Sequence, residues 1–508
     1  MGNLQSSKQL WEHPFIFSLF FLFLSLVLLF KRNRTKGKLN LPPSPPRLPI
    51  IGNLHQLGTL PYRSLHALSN KYGPLMLLNL GQLPTLVVSS AKIIREITKN
   101  HDIVFSNRPK TTASEILAYG GKDVVFGPYG ESWRQIRKIC VVELLNRKRV
   151  LSLHSVREEE VASLVDCLRK SFLEGCSINL SQMLSLASNN VVSRSVLGEK
   201  CDVEKNGFTL GDFAKTLSKQ FGAFSVGDFF PSFKWIDVVR GLNRSLESTF
   251  KILDSFNDRV IEEHRKIKAN GECETKDFLD VLLQIQRDGM HDIDLTRDHL
   301  KAILLDLLAA GIDASTSASE WLMAELLRNP RVLKKAQEEV RRVVGEKAKL
   351  DINDIDNMSY LRCVVKESLR LHPPTPLLIP RETTANVQIG GYHIPAKTRV
   401  LINAWAIQRD TSTWDNPEEF FPERFEKTPV DFVSQDCQLI SFGFGRRQCP
   451  GMTFGIVSTV YLISNLLYWF DWKLPDGTLP EDLDMTEVFG MSVARKASLY
   501  AVAIPYSP

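Results

Sequence analysis

Two stretches of the chain run unusually long without a charge, residues 14–30 and residues 452–470. The first reaches roughly 25 Å as a helix, the short end of a bilayer span. Lys31, Arg32, Arg34, Lys36 and Lys38 follow it directly. A cleaved signal peptide carries its positive charge before the apolar run and small residues after it. Here the order is reversed, which predicts an uncleaved anchor with the body of the protein on the cytosolic side. The second run predicts a buried helix. Leu41-Pro42-Pro43-Ser44-Pro45-Pro46-Arg47-Leu48-Pro49 excludes helix and central strand and predicts a stiff polyproline spacer. Alternation around Gly73-Pro74 and Gly81-Gln82 predicts a small β-meander over 72–90. From about residue 91 helical periodicity dominates. Thr275-Lys276-Asp277 predicts the start of a helix running through Gln286, and a long helix is expected over about 295–327. Another helix carries Lys366-Glu367-Ser368-Leu369-Arg370 and must end by Pro373-Pro374. A second β-rich patch over 386–402 has Ile389-Gly390-Gly391-Tyr392 as its hairpin signal. There is no internal repeat. The pattern predicts a mainly α fold with small β-sheets.

Composition narrows this reading. A length of 508 residues would allow about three domains, but the chemically distinctive motifs spread from residue 133 to 451, which argues for one large domain. The hydrophobic share of 44% and charged share of 24% are ordinary for a chain with a sizeable core. The net charge is +6, and the cations clustered over 31–38 leave the rest near balance. That excludes a strongly basic nucleic-acid-binding surface. The cysteines are scattered without a C-x-x-C pair, so neither a zinc site nor a disulfide framework is expected, and the compartment reads as reducing. The sequons Asn179-Leu180-Ser181 and Asn243-Arg244-Ser245 should then stay unmodified.

Chemistry concentrates in Phe442-Gly443-Phe444-Gly445-Arg446-Arg447-Gln448-Cys449-Pro450-Gly451. A free thiol is ordinarily a buried structural residue. Here the helix that follows places Cys449 near a helix N-terminus, which lowers a thiol pKa and favours thiolate. The glycines let backbone N–H groups approach whatever the sulfur holds. A single sulfur among apolar neighbours suits the axial position of haem. Phe442, Gly445, Arg447, Cys449 and Gly451 match, residue for residue, the haem-binding signature of the cytochrome P450 family. Further motifs in the family's order extend the resemblance over nearly the whole chain. It implies a haem-thiolate catalytic domain over residues 50–508. Before it come a lumenal tail (1–13), a transmembrane signal anchor (14–30) and a basic, proline-rich hinge (31–49).

Trp133-Arg134-Gln135-Ile136-Arg137 puts Trp133 and Arg137 on one helical face, where both can donate to carboxylates. In the family the matching pair holds the haem propionates. Arg447 and Arg381, in Pro380-Arg381-Glu382, match further propionate contacts, and Arg108 is another candidate. Glu367 and Arg370 also share a helical face. Such pairs are ordinarily surface decoration, but the resemblance implies a buried structural pair completed by Arg424 of Phe421-Pro422-Glu423-Arg424-Phe425. In Leu307-Leu308-Ala309-Ala310-Gly311-Ile312-Asp313-Ala314-Ser315-Thr316 the small Ala310 and Gly311 leave room beside the iron. The family usually has threonine where this chain has Ala314. Asp313 is present, and Ser315 lies roughly 100° further round the helix. Either Asp313 and water deliver protons with help from Ser315, giving ordinary hydroxylation, or the chain favours desaturation, ring closure or C–C coupling. The substrate pocket is expected to include Ala310, Ala314, Leu378 and Val488. Phe221, Phe224, Phe229 and Phe230 read as core rather than pocket wall.

The resemblance further implies an oxidoreductase that activates dioxygen with electrons passed from NADPH by NADPH–cytochrome P450 reductase and acts on a lipophilic small molecule. Arg134, Lys138 and Arg446 are candidates for a basic docking face. The anchor, the hinge, Trp-Arg-Gln-Ile-Arg-Lys and Pro-Glu-Arg-Phe resemble microsomal members of plant specialised metabolism. That implies a terpenoid or alkaloid substrate and an endoplasmic-reticulum location facing the cytosol. The alternative is a haem-thiolate isomerase or dehydratase needing neither dioxygen nor reductase, with Ala314 as its sole support.

Overall fold

A computed structural model describes residue 18 and residues 39–200, 209–269, 276–289, 294–347, 349–427 and 430–506. The expected tail, the anchor, the basic part of the hinge and Thr275 lie outside the described residues, apart from Ser18.

The proline-rich stretch forms no helix and lies against the body. Pro43 O accepts from Leu77 N at 2.9 Å, and Asn40 O accepts from His393 N at 2.6 Å. Pro42 and Pro45 are buried, and the buried Asn53 side chain donates to the carbonyls of Pro45 and Pro46. Proline lacks an N–H but keeps its carbonyl, so the prolines can only accept, and neighbouring segments supply the donors.

Leu75–Leu80 and Leu83–Val88 form an antiparallel hairpin, Leu75 opposite Val88 and Leu80 opposite Leu83. Arg399–Ile402 then pairs in parallel with the second strand, and Arg381–Glu382 pairs antiparallel with Arg399–Ile402. The four-stranded sheet therefore joins chain segments about residues 80 and 400. Val387–Ile389 and Tyr392–Ile394 form the expected second hairpin.

Tyr500–Pro505 pairs with Ile178–Asn179 and Phe470–Lys473, Glu487–Val488 pairs with Ala494–Arg495, and helices make up most of the rest. Asp277 caps Phe278–Asp288 by accepting from Asp280 N at 2.8 Å. The long helix begins at Arg297 behind a Thr296 cap and ends at Arg328, and it contains a π turn at Asp306–Ala310. An extra residue in one turn re-aims the side chains around it, and such turns recur at functional sites. Met452–Trp469 is apolar all round because it is a core helix, 67% buried inside the protein. Its Val460, Ile463 and Leu466 pack in one large core with Leu322, Leu326 and Val364 from the long helix and Ser359–Leu371. Each such fully buried side chain contributes about 1.5–3 kcal/mol. A second apolar cluster ties the sheet to the cysteine loop through Leu86, Val400, Phe105, Ile440 and Phe444.

Candidate active site

Residues 440–451 fold into a tight loop. Gly443 N donates to Ile440 O at 2.7 Å and Cys449 N to Phe442 O at 2.8 Å. Gly445 has φ +61°, and a Cβ there would come 2.4 Å from Asp102 Oδ1, so this glycine is required twice over. Gly451 then opens the helix Met452–Trp469. Cys449 is enclosed by protein on every side, yet shows its surface to an internal cavity. Burial pushes its thiol up, and the Gly451 N–H and Arg137 offset only part of that. This corrects the expectation drawn from the helix N-terminus alone: without a cation at the sulfur, desolvation outweighs the helix.

The cavity holds about 290 Å³. Its walls include Ala310, Gly311, Ala314 and Ser315 of the long helix, Leu378, Phe442 and Gly451, and four arginines, Arg108, Arg137, Arg381 and Arg447. All four guanidiniums bond to backbone carbonyls. Arg447 donates to Ser106, Val124 and Gly127, Arg108 to Val125, Ile379 and Pro380, Arg381 to Phe444, and Arg137 to Gln448. Among the described residues none of the four has a carboxylate within ion-pair distance. Desolvation lowers the pKa of each, Arg381 to about 10 and Arg447 to about 9, and repulsion from neighbouring arginines adds to it for Arg108, Arg381 and Arg447. Trp133 does not line the cavity. Its Nε1 donates to Val124 O at 3.0 Å and its ring lies 3.9 Å from the Arg447 guanidinium, so it props the arginine.

Glu367 and Arg370 have fully buried side chains and meet through two bonds, 2.7 and 2.9 Å. Arg424 Nε reaches Glu367 Oε1 at 3.0 Å, and Phe421 N donates to the same oxygen at 2.8 Å. Gln408 connects this triad to the cysteine loop. Its Nε2 donates to the carbonyls of Leu369 and Arg370, and its Oε1 accepts from Ile440 N and Ser441 Oγ at 2.9 Å each. No spacing signal marks Gln408, because its partners come from two distant segments.

Along the long helix, Ala310, Ala314 and Ser315 all line the cavity, whereas Asp313 does not. Asp313 Oδ2 accepts from Ser218 Oγ at 3.0 Å, and Ser492 lies beside its carboxylate. Burial raises its pKa against these contacts. Ser492 itself lines the cavity and stands between Asp313 and the open space. Val488 is 49% exposed on a short strand outside the cavity. Met491 and Ser492 occupy the wall expected for it, because the chain turns inward only after Phe489 packs on Tyr62. Phe221 stacks on Phe126 at 4.6 Å and Phe224 on Phe229 at 5.1 Å, away from the cavity wall. Arg134, Lys138 and Arg446 are exposed, Arg134 paired with Glu131 and Arg446 with Asp102.

Residues 42–502 match the sequence profile described as cytochrome P450. The chain belongs to the cytochrome P450 family. This P450 is 52% identical to phenylacetaldehyde oxime monooxygenase of Prunus mume, over 100% of this chain and 98% of that protein. It is 43% identical to 5-epiaristolochene 1,3-dihydroxylase of Nicotiana tabacum (96% and 98% covered) and 45% identical to strychnine-11-hydroxylase of Strychnos nux-vomica (96% and 97%). The fold is similar to that of a zebrafish cytochrome P450 solved with progesterone, with a TM-score of 0.74 and 26% identity over 88% of this chain and 99% of that one. The P450 is a haem-thiolate oxidoreductase of the monooxygenase type. Its residues fit that cofactor: one sulfur donor faces an apolar cavity, and a wall of buried cations without carboxylate partners calls for anionic groups such as the two propionates.

Proposed function

We propose that this P450 oxygenates a small lipophilic plant metabolite at the Cys449 cavity, with NADPH-derived electrons delivered by a membrane-bound reductase. One observation carries the reading: the same cavity holds the Cys449 sulfur, the arginine wall and the small-residue stretch Ala310–Gly311–Ala314. Haem, when bound through the Cys449 thiolate, supplies the iron at which dioxygen is reduced. Arg137, Arg381 and Arg447 fix the cofactor's carboxylates. Ala310, Gly311 and Ala314 leave room for substrate, and the apolar lining selects a lipophile and excludes bulk water. Asp313 lies behind Ser492 and can pass a proton to the cavity through the Ser492 hydroxyl, with Ser315 as a second hydroxyl in the wall. The route enters from the carboxyl-terminal turn, so Ala314 need not carry a hydroxyl. Hydroxylation is the favoured outcome.

Relatives are named for an aldoxime, a sesquiterpene and an alkaloid. The full-length 52% match makes phenylacetaldehyde oxime the first substrate to try, ahead of terpenoid and alkaloid panels. For location, Trp235, Val238, Val239 and Phe233 expose apolar surface near Ile50 and Ile51. Gln82 N donates to Phe229 O and Gly81 N to Ile51 O, which joins those two segments. An apolar face beside the segment that follows the anchor suits a domain seated on the cytosolic side of the endoplasmic reticulum. The test is reconstitution with a plant reductase and ¹⁸O₂. Incorporation of label that depends on NADPH is expected. Product formed at full rate without NADPH would replace this reading with the isomerase or dehydratase.

A further inference from the structure

Three successive backbone N–H groups at the edge of the cavity, Val124, Val125 and Phe126, are all capped by carboxylates. Asp306 Oδ2, in the π turn of the long helix, accepts from Val124 N at 2.7 Å and Val125 N at 3.3 Å. Asp123 Oδ2 accepts from Phe126 N at 2.7 Å. The other face of this short loop carries carbonyls that hold the arginine wall. Val124 O accepts from Trp133 and Arg447, Val125 O from Arg108, and Gly127 O from Arg447.

The two carboxyl groups cap adjacent N–H groups of one short loop and act on each other. Two ionised carboxylates have only acceptors and repel, so a hydrogen bond between them needs a proton. Asp123 is 1% exposed, and its Oδ1 meets no N–H or O–H donor among the described residues, which leaves that oxygen for an Asp306 proton.

We propose that Asp123 and Asp306 share one proton and act as a positioning pair that pins residues 123–127 to the π turn and thereby holds the cofactor-binding arginines in place. Burial and mutual repulsion support it: Asp123 is pushed up to about 6 and Asp306 well above the usual carboxylate range. The charged and titratable groups around the pair are Arg447 and Arg108 beside Asp123, and Cys140 beside Asp306. The helices Leu180–Leu197 and Leu210–Phe221 also pack on the π turn. Among the described residues they give Asp306 no hydrogen bond or ion pair.

Both groups bind protons more tightly folded than unfolded. Their contribution is therefore complete below the ordinary carboxylate value of 3.8 and is lost as pH climbs through the raised folded values, from about 6 upward. Loss of the shared proton puts two anions together and frees the loop.

The holoprotein tests this through haem retention, followed by transfer of haem to apomyoglobin as pH is raised from about 6. Asp306→Asn keeps an acceptor for Val124 N and offers an N–H to Asp123 Oδ1, but cannot titrate. Wild type should release haem faster by up to about tenfold per pH unit on the alkaline limb, Asp306→Asn should be flat, and Asp306→Ala should be fast throughout. Infrared spectra of wild type should show the C=O stretch of a buried protonated carboxyl that is missing in Asp306→Asn. This readout stands even if Asp306→Ala does not fold. No such band, or an Asp306→Asn profile that follows wild type, overturns the pair.

Discussion

Replacing Glu367 by alanine should cost this P450 most of its ability to fold around haem. The change removes four bonds at once: two from Arg370, one from Arg424 Nε and one from Phe421 N. Arg370 keeps the carbonyls of Gln408, Pro417 and Glu419, so its N–H groups stay partly satisfied, but its charge stays fully buried and loses its counter-ion. Breaking one side of such a pair costs about 3–5 kcal/mol, and a buried N–H left bare at Phe421 adds about 1–3 kcal/mol. The sum is on the order of 5 kcal/mol, against about 5–15 kcal/mol for a whole folded domain. Gln408 carries the damage onward, since it is pinned by Leu369 and Arg370 on one side and holds Ile440 and Ser441 on the other. The assay is the carbon-monoxide difference spectrum per milligram of protein, with chemical denaturation of whatever folds. Glu367→Gln keeps an acceptor for Phe421 N and Arg424 and should fall between. If Glu367→Ala holds haem stoichiometrically and unfolds within the about 0.5 kcal/mol typical of an exposed substitution, the triad is not what supports the cysteine loop.

Cys449→Ser should abolish the thiolate-type band of the reduced carbon-monoxide complex, and its persistence would remove the sulfur from the axial position. Asp313→Asn should cut the rate of product formation by about 10²–10⁴-fold if it loses a proton donor in the rate-setting step. Full coupling in that variant would end its catalytic assignment. Ala314→Thr places a hydroxyl in the cavity wall and should alter coupling or product ratio, whereas an unchanged profile would mean that position 314 is remote from the reacting oxygen. Burial works to raise the Glu423 carboxyl, but hydrogen bonds from Arg331, its own backbone and Lys335 outweigh it and hold it at about 2. A depressed carboxylate contributes stability above its unfolded value of 4.5 that is lost as pH falls toward about 2. Glu423→Gln should flatten that acid limb in urea titrations, and an unaltered limb would exclude the Arg331–Glu423 pair as its source.

Much of the site was legible from the chain because its determinants are local. The cysteine loop depends on glycines at positive φ and a helix start, all within about a dozen residues. Glu367 and Arg370 share a face through helix geometry alone, and Arg381 enters the site on a strand whose hairpin neighbours announce themselves. The failures are equally physical. Val488 was assigned to the pocket from its place in the order of segments, but a two-residue strand pairing with Ala494 turns it outward and hands the wall to Met491 and Ser492. At Cys449 a helix N-terminus acts over one turn, whereas desolvation depends on everything packed around the sulfur, so without iron the thiol is pushed up.

Hydrophobic spacing, proline and glycine placement and short-range pairs determine the helices, the hairpins and the cysteine loop, since each is decided within one or two turns of backbone. Tertiary structure alone decides that Gln408 joins the triad to the loop, that Ser492 faces the cavity from Asp313, and that Asp123 meets Asp306. Those partners sit far apart along the chain. The burial that gives their bonds weight exists only once the core has excluded water from between them.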